Sequence, residues 1–457
     1  MDAIVKLVKN FMDTKYEDLP GDAVEAAKKE ILDSLATAVG GSRKPGVPEL
    51  VEMVKEWGGS EQSTVIAYGL KCPAPNAAQV NATMIHALDY DDGHQVALVH
   101  VGCIAVSTCF AAAERMGGVS GKEFLTAMVL EADFVSRLAL ATRPGKSLIT
   151  FGWHPTTLFG YMGAAAMAGR IIGLNEEKMV NALGIAYHQC AGNTQCGIDG
   201  ALTKRMGPGL AAKGGITAAL MAERGITGAR NILEGKAGMF KVYHAEDYNP
   251  EVLTADLGKK FEGVNIGDKP YPCCGFTHSF IDASLALRSK HEINPERVRE
   301  IKVYGGDSSI GLCTPDRRTP RNIVEAQFSV PWAVATALVK GKVTLQDFTD
   351  KSIKNETVLA VAKKVSGTLV PEMNRHGVGP GKMVIIMESG EEYTEYVEHC
   401  LGSIERPMTF EDCKVKFREC AEQSAKPLKN DTIERIVELI GQLEKSEDAT
   451  EIVRLLG

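Results

Sequence analysis

Residues 86–102, HALDYDDGHQVALVHVG, carry three Asp (Asp89, Asp91, Asp92) and three His (His86, His94, His100). The stretches on either side, NAAQVNATMI and CIAVSTCFAAA, are small and apolar at near-helical period, which predicts two buried helices. Carboxylates and imidazoles between buried helices must be paired, hydrogen-bonded or functional, because bare buried charge is costly. Gly93 predicts that the first helix ends after Asp92, leaving His94 and His100 on a loop. Two readings follow for the cluster. Asp91 and Asp92 cap helices while the His residues hydrogen-bond locally, or the cluster is an acid–base site.

The rest of the chain sets limits on that choice. At 457 residues, two domains are expected. The 51 Lys and Arg against 58 Asp and Glu give a net charge of −7, which argues against a nucleic-acid partner. No apolar run reaches the ~18 residues of a membrane span. The N-terminal MDAIVKLVKNFMDTKYEDLP has helical period and no signal-peptide core, so a cytoplasmic protein is expected. The eleven Cys include no C-x-x-C pair. Buried free thiols are expected rather than a zinc or iron–sulfur site, and no metal or cofactor is implied.

Helical periodicity predicts a helix over 22–39 ended by Gly40-Gly41, and one from a Ser120–Glu123 capping box to Arg143. Pro155 should open a third, Asn175 should cap a fourth, and a fifth should cover 209–223. Residues 63–68 read as a short strand. The texture changes near 266. Strand-like runs at 300–306 and in the hairpin 382–399, turning at Ser389-Gly390, alternate with helices near 278–290, 322–340 and 344–365. Helix resumes after Thr409 and from Asp431 to Leu456. The fold class is therefore mainly α with a smaller α+β domain. A large helical domain is expected from 1–265 and 402–457, with 266–401 inserted as the smaller one. Small-molecule sites tend to form in clefts between domains.

Four places set polar groups among apolar ones: Asp89 to His100, His154 beside Trp153, Lys204-Arg205, and Lys269 to His278. Each has a plain alternative. His154 could be a helix N-cap, Lys204 and Arg205 an exposed pair, and His278 a mere helix start. Taken together the types are complementary: His and Asp suit proton transfer, while Lys and Arg hold carboxylates.

HALDYDDGH with His100 beyond it, GWHPTTLFG, TKRMGPGLAAKGGITAALMAERGITG, KPYPCCGFTHSFIDASLAL and EAQFSVPWAVATALVKG follow in that order. In these blocks the chain resembles the MmgE/PrpD family, whose activities include 2-methylcitrate dehydration, cis-aconitate decarboxylation and iminodisuccinate epimerisation. The resemblance implies a large helical domain with a smaller α/β lid, no metal, and a homodimer. It places active-site positions at Asp89, His100, His154, Lys204 and Lys269. Gly93 stands where many members have Thr, Gly207 where many have His, Cys274 where the decarboxylases have His, and Val101 where Pro is common. These exchanges remove polar groups from the substrate side and leave the proton-transfer set in place.

The expected function is a metal-independent lyase, a dehydratase or decarboxylase, acting on a small anionic di- or tricarboxylate. Asp89, His100, His154 and Lys204 are the candidate catalytic residues. Gly93, Arg205, Lys269 and Cys274 are the candidate substrate-binding ones. Lys204 would stabilise developing charge, one His would be base and the other acid, and Asp89 would orient an imidazole. The alternatives are an epimerase of a dicarboxylate such as iminodisuccinate, and a helical scaffold without activity.

Overall fold

The computed structural model describes residues 2–142, 148–375 and 377–457. Arg143, the expected end of one helix, lies outside them. The chain forms two compact units. One comprises residues 1–196, 202–266 and 409–457, and the other 197–201 and 267–408. The sequence had not set 197–201 apart from its neighbours.

The first unit is helical. Its helices Ala74–His86, Gly102–Arg115, Pro155–Ile171 and Glu176–Gln189 all pack on the long helix Thr203–Glu223. Gly21–Gly41 packs on Ala74–His86 and on Phe410–Ala421 from the far end of the chain. Local signals set many of the boundaries. The Ser120 hydroxyl accepts the Glu123 N–H at 3.3 Å to start Gly121–Ala141. Asn175 caps Glu176–Gln189, and Thr409 and Asp412 form a reciprocal capping box.

Several boundaries differ from the sequence reading. Gly40 and Gly41 are the last two residues of their helix rather than the pair that follows it. A Cβ on Gly41 would stand 2.1 Å from the Met84 carbonyl oxygen, so this glycine serves close helix approach. The helix before the Asp cluster ends at His86, ahead of Gly93, and Asp89 takes a left-handed φ of 52°. The 209–223 helix begins six residues earlier, at Thr203, and carries Pro208 within it. A Cβ on Gly209 would stand 2.4 Å from the Gln79 carbonyl oxygen and one on Gly215 2.4 Å from the Ala164 Cβ, so these glycines let neighbouring helices approach. The last helical stretch is also broken, into Asn430–Gly441 and Glu451–Leu456.

The second unit holds a four-stranded sheet in the order Val365–Leu369, Val298–Gly305, Gly381–Met387, Glu392–Val397. The first pair is parallel and the others antiparallel, with Ile301 opposite both Val365 and Ile385. Helices His278–Lys290 and Val330–Lys340 pack with it around Phe280, Trp332 and Leu338. Residues 344–365 are not one helix. Turns lead to the short helix Glu356–Ala362, and the strand from Val365 follows. Its sequence, VSGTL, is too short and too glycine-weakened to declare itself. The helix expected over 322–340 breaks at Phe328, because Ser329 caps a second helix by accepting the Trp332 N–H at 3.0 Å. All eleven Cys are free thiols. No helix among the described residues is long and apolar enough to cross a membrane.

Candidate active site

The Asp cluster is folded by its own backbone. Asp92 is fully buried, and its carboxylate accepts the N–H groups of Val101 at 2.8 Å and Gly102 at 3.1 Å. These are donors at the start of the 102–115 helix, so the capping reading holds for this aspartate. The Asp92 carbonyl accepts His100 Nδ1 at 2.5 Å, and the Thr156 hydroxyl accepts the His100 backbone N–H at 3.0 Å. A carbonyl can only accept, so His100 carries its hydrogen on Nδ1 and keeps a lone pair on Nε2 when neutral. A Cβ on Gly93 would lie 3.9 Å from His100 Nδ1, in ordinary contact, so this position borders the imidazole.

His94 is structural. Its Nδ1 accepts the Ala97 N–H at 3.1 Å and its Nε2 faces Glu262 at 3.5 Å, which braces the 94–99 turn. His86, at the end of the 74–86 helix, gives its Nδ1 hydrogen to Asp91 at 2.7 Å, and both side chains are fully buried. Its ring lies 4.8 Å from that of His100 and 6.0 Å from that of His154. The sequence reading counted His86 and Asp91 within the cluster but gave neither a role in the site. The signal was their five-residue spacing across a helix end.

His154 occupies the N-cap position of the 155–171 helix, but its side chain does not cap. Nδ1 meets the Thr157 hydroxyl at 2.8 Å instead. Burial pushes the His154 imidazole well below the usual histidine range, helped by His86, Lys204 and His100 nearby. Burial also lowers His86, against the pull of Asp91. Lys204 and Arg205 lie in the first turn of the 203–223 helix, a turn with no acidic residue. They are not an exposed pair. The Lys204 ammonium is ion-paired to Asp89, with side chains 14% and 7% exposed, although the two lie 115 residues apart in sequence. Arg205 is buried and donates to the Pro45 carbonyl at 3.0 Å. A Cβ on Gly207 would meet the Thr157 hydroxyl at 2.4 Å, so the hydroxyl that holds His154 fills the space of a side chain here.

Asp89, His100, His154, Lys204, Arg205 and Gly93 thus belong to the first unit, with His86 and Asp91. Lys269 and Cys274 belong to the second. Both are half-buried, and the Cys274 N–H donates to the Gln327 carbonyl at 2.9 Å. His278 is structural, with Nε2 on the Cys273 carbonyl at 3.1 Å.

Among the described residues, His86, Asp91 and Cys103, and likewise Asp91, Asp92 and His100, have donor atoms within 4.8 Å of one another. Burial and the carboxylates around Cys103 push its thiol well up, which keeps it protonated, and both Nδ1 atoms are already hydrogen-bonded.

Fold and site together define a mainly helical protein with a buried centre of imidazoles, carboxylates and one lysine. The chain belongs to the MmgE/PrpD family: residues 5–251 match the MmgE/PrpD N-terminal domain and residues 271–442 the MmgE/PrpD C-terminal domain. It is similar to cis-aconitate decarboxylase of Aspergillus terreus, 28% identical over 96% of this chain and 93% of that protein. Its similarity to the cis-aconitate decarboxylase of Mus musculus is 28% over 97% and 91%. For that of Homo sapiens it is 27% over 97% and 92%.

Proposed function

We propose that this protein is a lyase of the dehydratase or decarboxylase type acting on a small di- or tricarboxylate. The observation that carries the reading is the buried Lys204–Asp89 pair in one cluster with His154, whose imidazole is kept neutral, and with His86, whose ring packs against His100. Full-length similarity to cis-aconitate decarboxylases supports a tricarboxylate as the substrate class.

A carbon next to a carboxylate is a weak acid, and its carbanion needs a positive group close by. Lys204 supplies one. In a dehydration, a neutral imidazole takes the proton, the C–H electron pair forms the new double bond, and the β-hydroxyl leaves as water by taking that proton back from the imidazolium so formed. In a decarboxylation, the C–CO2 bond breaks, its electron pair stays on carbon beside the Lys204 ammonium, and that carbon then takes a proton from an acid that enters the cycle protonated and is recharged from solvent. The neutral forms of His100 and His154 are suited to the base role. Arg205, at the same helix end, is the candidate holder of a further carboxylate. Burial of the ion pair speaks against an inactive scaffold, since a site released from function gains by replacing buried charge with apolar groups.

The test is a panel of di- and tricarboxylates incubated with enzyme in D2O, followed by NMR for turnover and for deuterium at carbon. Wild type should convert at least one tricarboxylate, and His154→Ala should lose deuterium incorporation. Exchange without net elimination or CO2 release would assign an epimerase instead. Absence of both turnover and exchange with every member of the panel would overturn the proposal.

A further inference from the structure

We propose that Asp91 and His86 are positioning residues for His100, with Asp91 the counter-ion of the imidazolium that His100 becomes on taking a proton. This rests on the reading of the site as a proton-transfer centre. Asp91 Oδ2 stands 2.7 Å from His86 Nδ1 and 3.7 Å from His100 Nδ1, so one carboxylate oxygen faces two imidazoles. A carboxylate only accepts, so the His86 hydrogen is on Nδ1. Nε2 then keeps a lone pair, and this atom is buried with no hydrogen-bond partner among the described residues. An apolar side chain could fill the same space without an unpaired acceptor. What His86 adds is a fixed polar ring, edge-on to His100 at 4.8 Å, that sets the Asp91 oxygen toward both imidazoles.

The proton balance is simple. The C–H bond of the substrate breaks, its electron pair stays on the carbon side, and an N–H bond forms at His100 Nε2. The other hydrogen of the ring stays on Nδ1, held by the Asp92 carbonyl. The ring is then a cation, in a cluster that already contains the Lys204 ammonium. Asp91 offsets that repulsion across 3.7 Å. The charged and titratable groups around this pair include Asp89 and Asp92 on the same loop, Glu30 and Asp33 on the 21–41 helix, Cys103 on the 102–115 helix, Glu131 on the 121–141 helix, His154 before the 155–171 helix, and Lys204 on the 203–223 helix. Lys204 is the cation among them, and it opposes a proton on the imidazoles.

The first experiment needs neither variant nor substrate. In 15N-histidine-labelled wild-type protein, His86 and His100 should both show a protonated Nδ1 and an unprotonated Nε2 at neutral pH. A hydrogen on Nε2 of either ring overturns the inference, whatever the enzyme turns over. The second experiment is Asp91→Asn, which keeps shape and removes charge. Its kcat should fall about 100-fold, less than the ~10⁴ lost with a directly bonded triad aspartate, because Asp91 stands 3.7 Å from His100. KM should hold. The acid limb of the kcat profile should move to lower pH, because His100 without its counter-ion is a weaker base. A fall in kcat with the limb unmoved means a structural role only and refutes the counter-ion. If this variant does not fold, His100 itself decides. Its titration should move down in His86→Gln, which disturbs the Asp91 carboxylate, and should stay at its wild-type position in Cys103→Ser, which leaves that carboxylate in place; no movement in His86→Gln refutes the counter-ion. Absence of all turnover in wild type would sink the functional reading and leave the tautomer test standing.

Discussion

Replacing Lys204 by Met separates stability from chemistry at the centre of the site. The ammonium and the Asp89 carboxylate are paired and nearly buried. Two unit charges ~3 Å apart attract by roughly 5 kcal/mol at an effective dielectric of about 20. Taking them out of water consumes much of that, so the intact pair adds little net stability. Removing one partner is different, because Asp89 is then left charged and buried. Lys204→Met should lose about 3–5 kcal/mol of unfolding free energy, a large part of an ordinary protein's total. Adding Asp89→Asn removes the orphaned charge. Asn also tolerates the left-handed backbone at this position, where φ is 52°. The double variant should therefore recover at least ~1.5 kcal/mol relative to additivity. Activity should not recover. If Lys204 stabilises charge developing at the substrate carbon, kcat falls by about 100- to 1,000-fold in both the single and the double variant. Urea unfolding at pH 7 of wild type, both single variants and the double measures the coupling. Steady-state kinetics on the carboxylate found in the D2O panel measures the rest. Additive stabilities would show that the pair is not coupled, and a near wild-type kcat in Lys204→Met would refute the catalytic role of this lysine.

Two further outcomes are expected. Gly207→Ala puts a Cβ 2.4 Å from the Thr157 hydroxyl, so Thr157 must move and release His154 Nδ1; kcat should drop several-fold with KM nearly constant, and an unchanged kcat would show that Thr157 does not hold His154 in its working position. His86 and His154 have folded-state pKa values below that of the unfolded chain, so below about pH 6.5 the unfolded state binds more protons and stability falls as pH falls, by up to about 1.4 kcal/mol per pH unit for each group. Asp92 and Glu131, raised by burial, act with the opposite sign and lose their contribution as pH rises. Because the two sets oppose each other, the test is a difference: from pH 7 to pH 5 the urea midpoint of wild type should fall relative to that of His154→Gln, and the same change in both proteins would contradict a neutral buried His154.

The sequence alone was enough for whatever is decided within a few residues. Ser120, Asn175 and Thr409 are cap residues because a side-chain oxygen reaches an N–H two or three positions on, in this chain as in any other. Burial of the helices around the Asp cluster followed from their apolar runs, and membership of the family from the order of several motif blocks. The shift to alternating strands and helices near 266 announced the sheet, although the strand 365–369 was too short to show. Tertiary structure decided what each glycine and each charge is for. Gly40-Gly41 read as a helix stop, and Gly207 fell ahead of the helix expected from 209, because conformational freedom is the local property of glycine. Their use here is the space left by an absent Cβ, and the neighbour that fills that space is far away in sequence. The carboxylates show the same thing. Three aspartates within four residues are chemically alike, yet Asp92 caps a helix, Asp91 holds His86, and Asp89 meets a lysine 115 residues away. Electrostatic partnership acts over ångströms of space rather than positions of chain, so only the packed helices could assign the three.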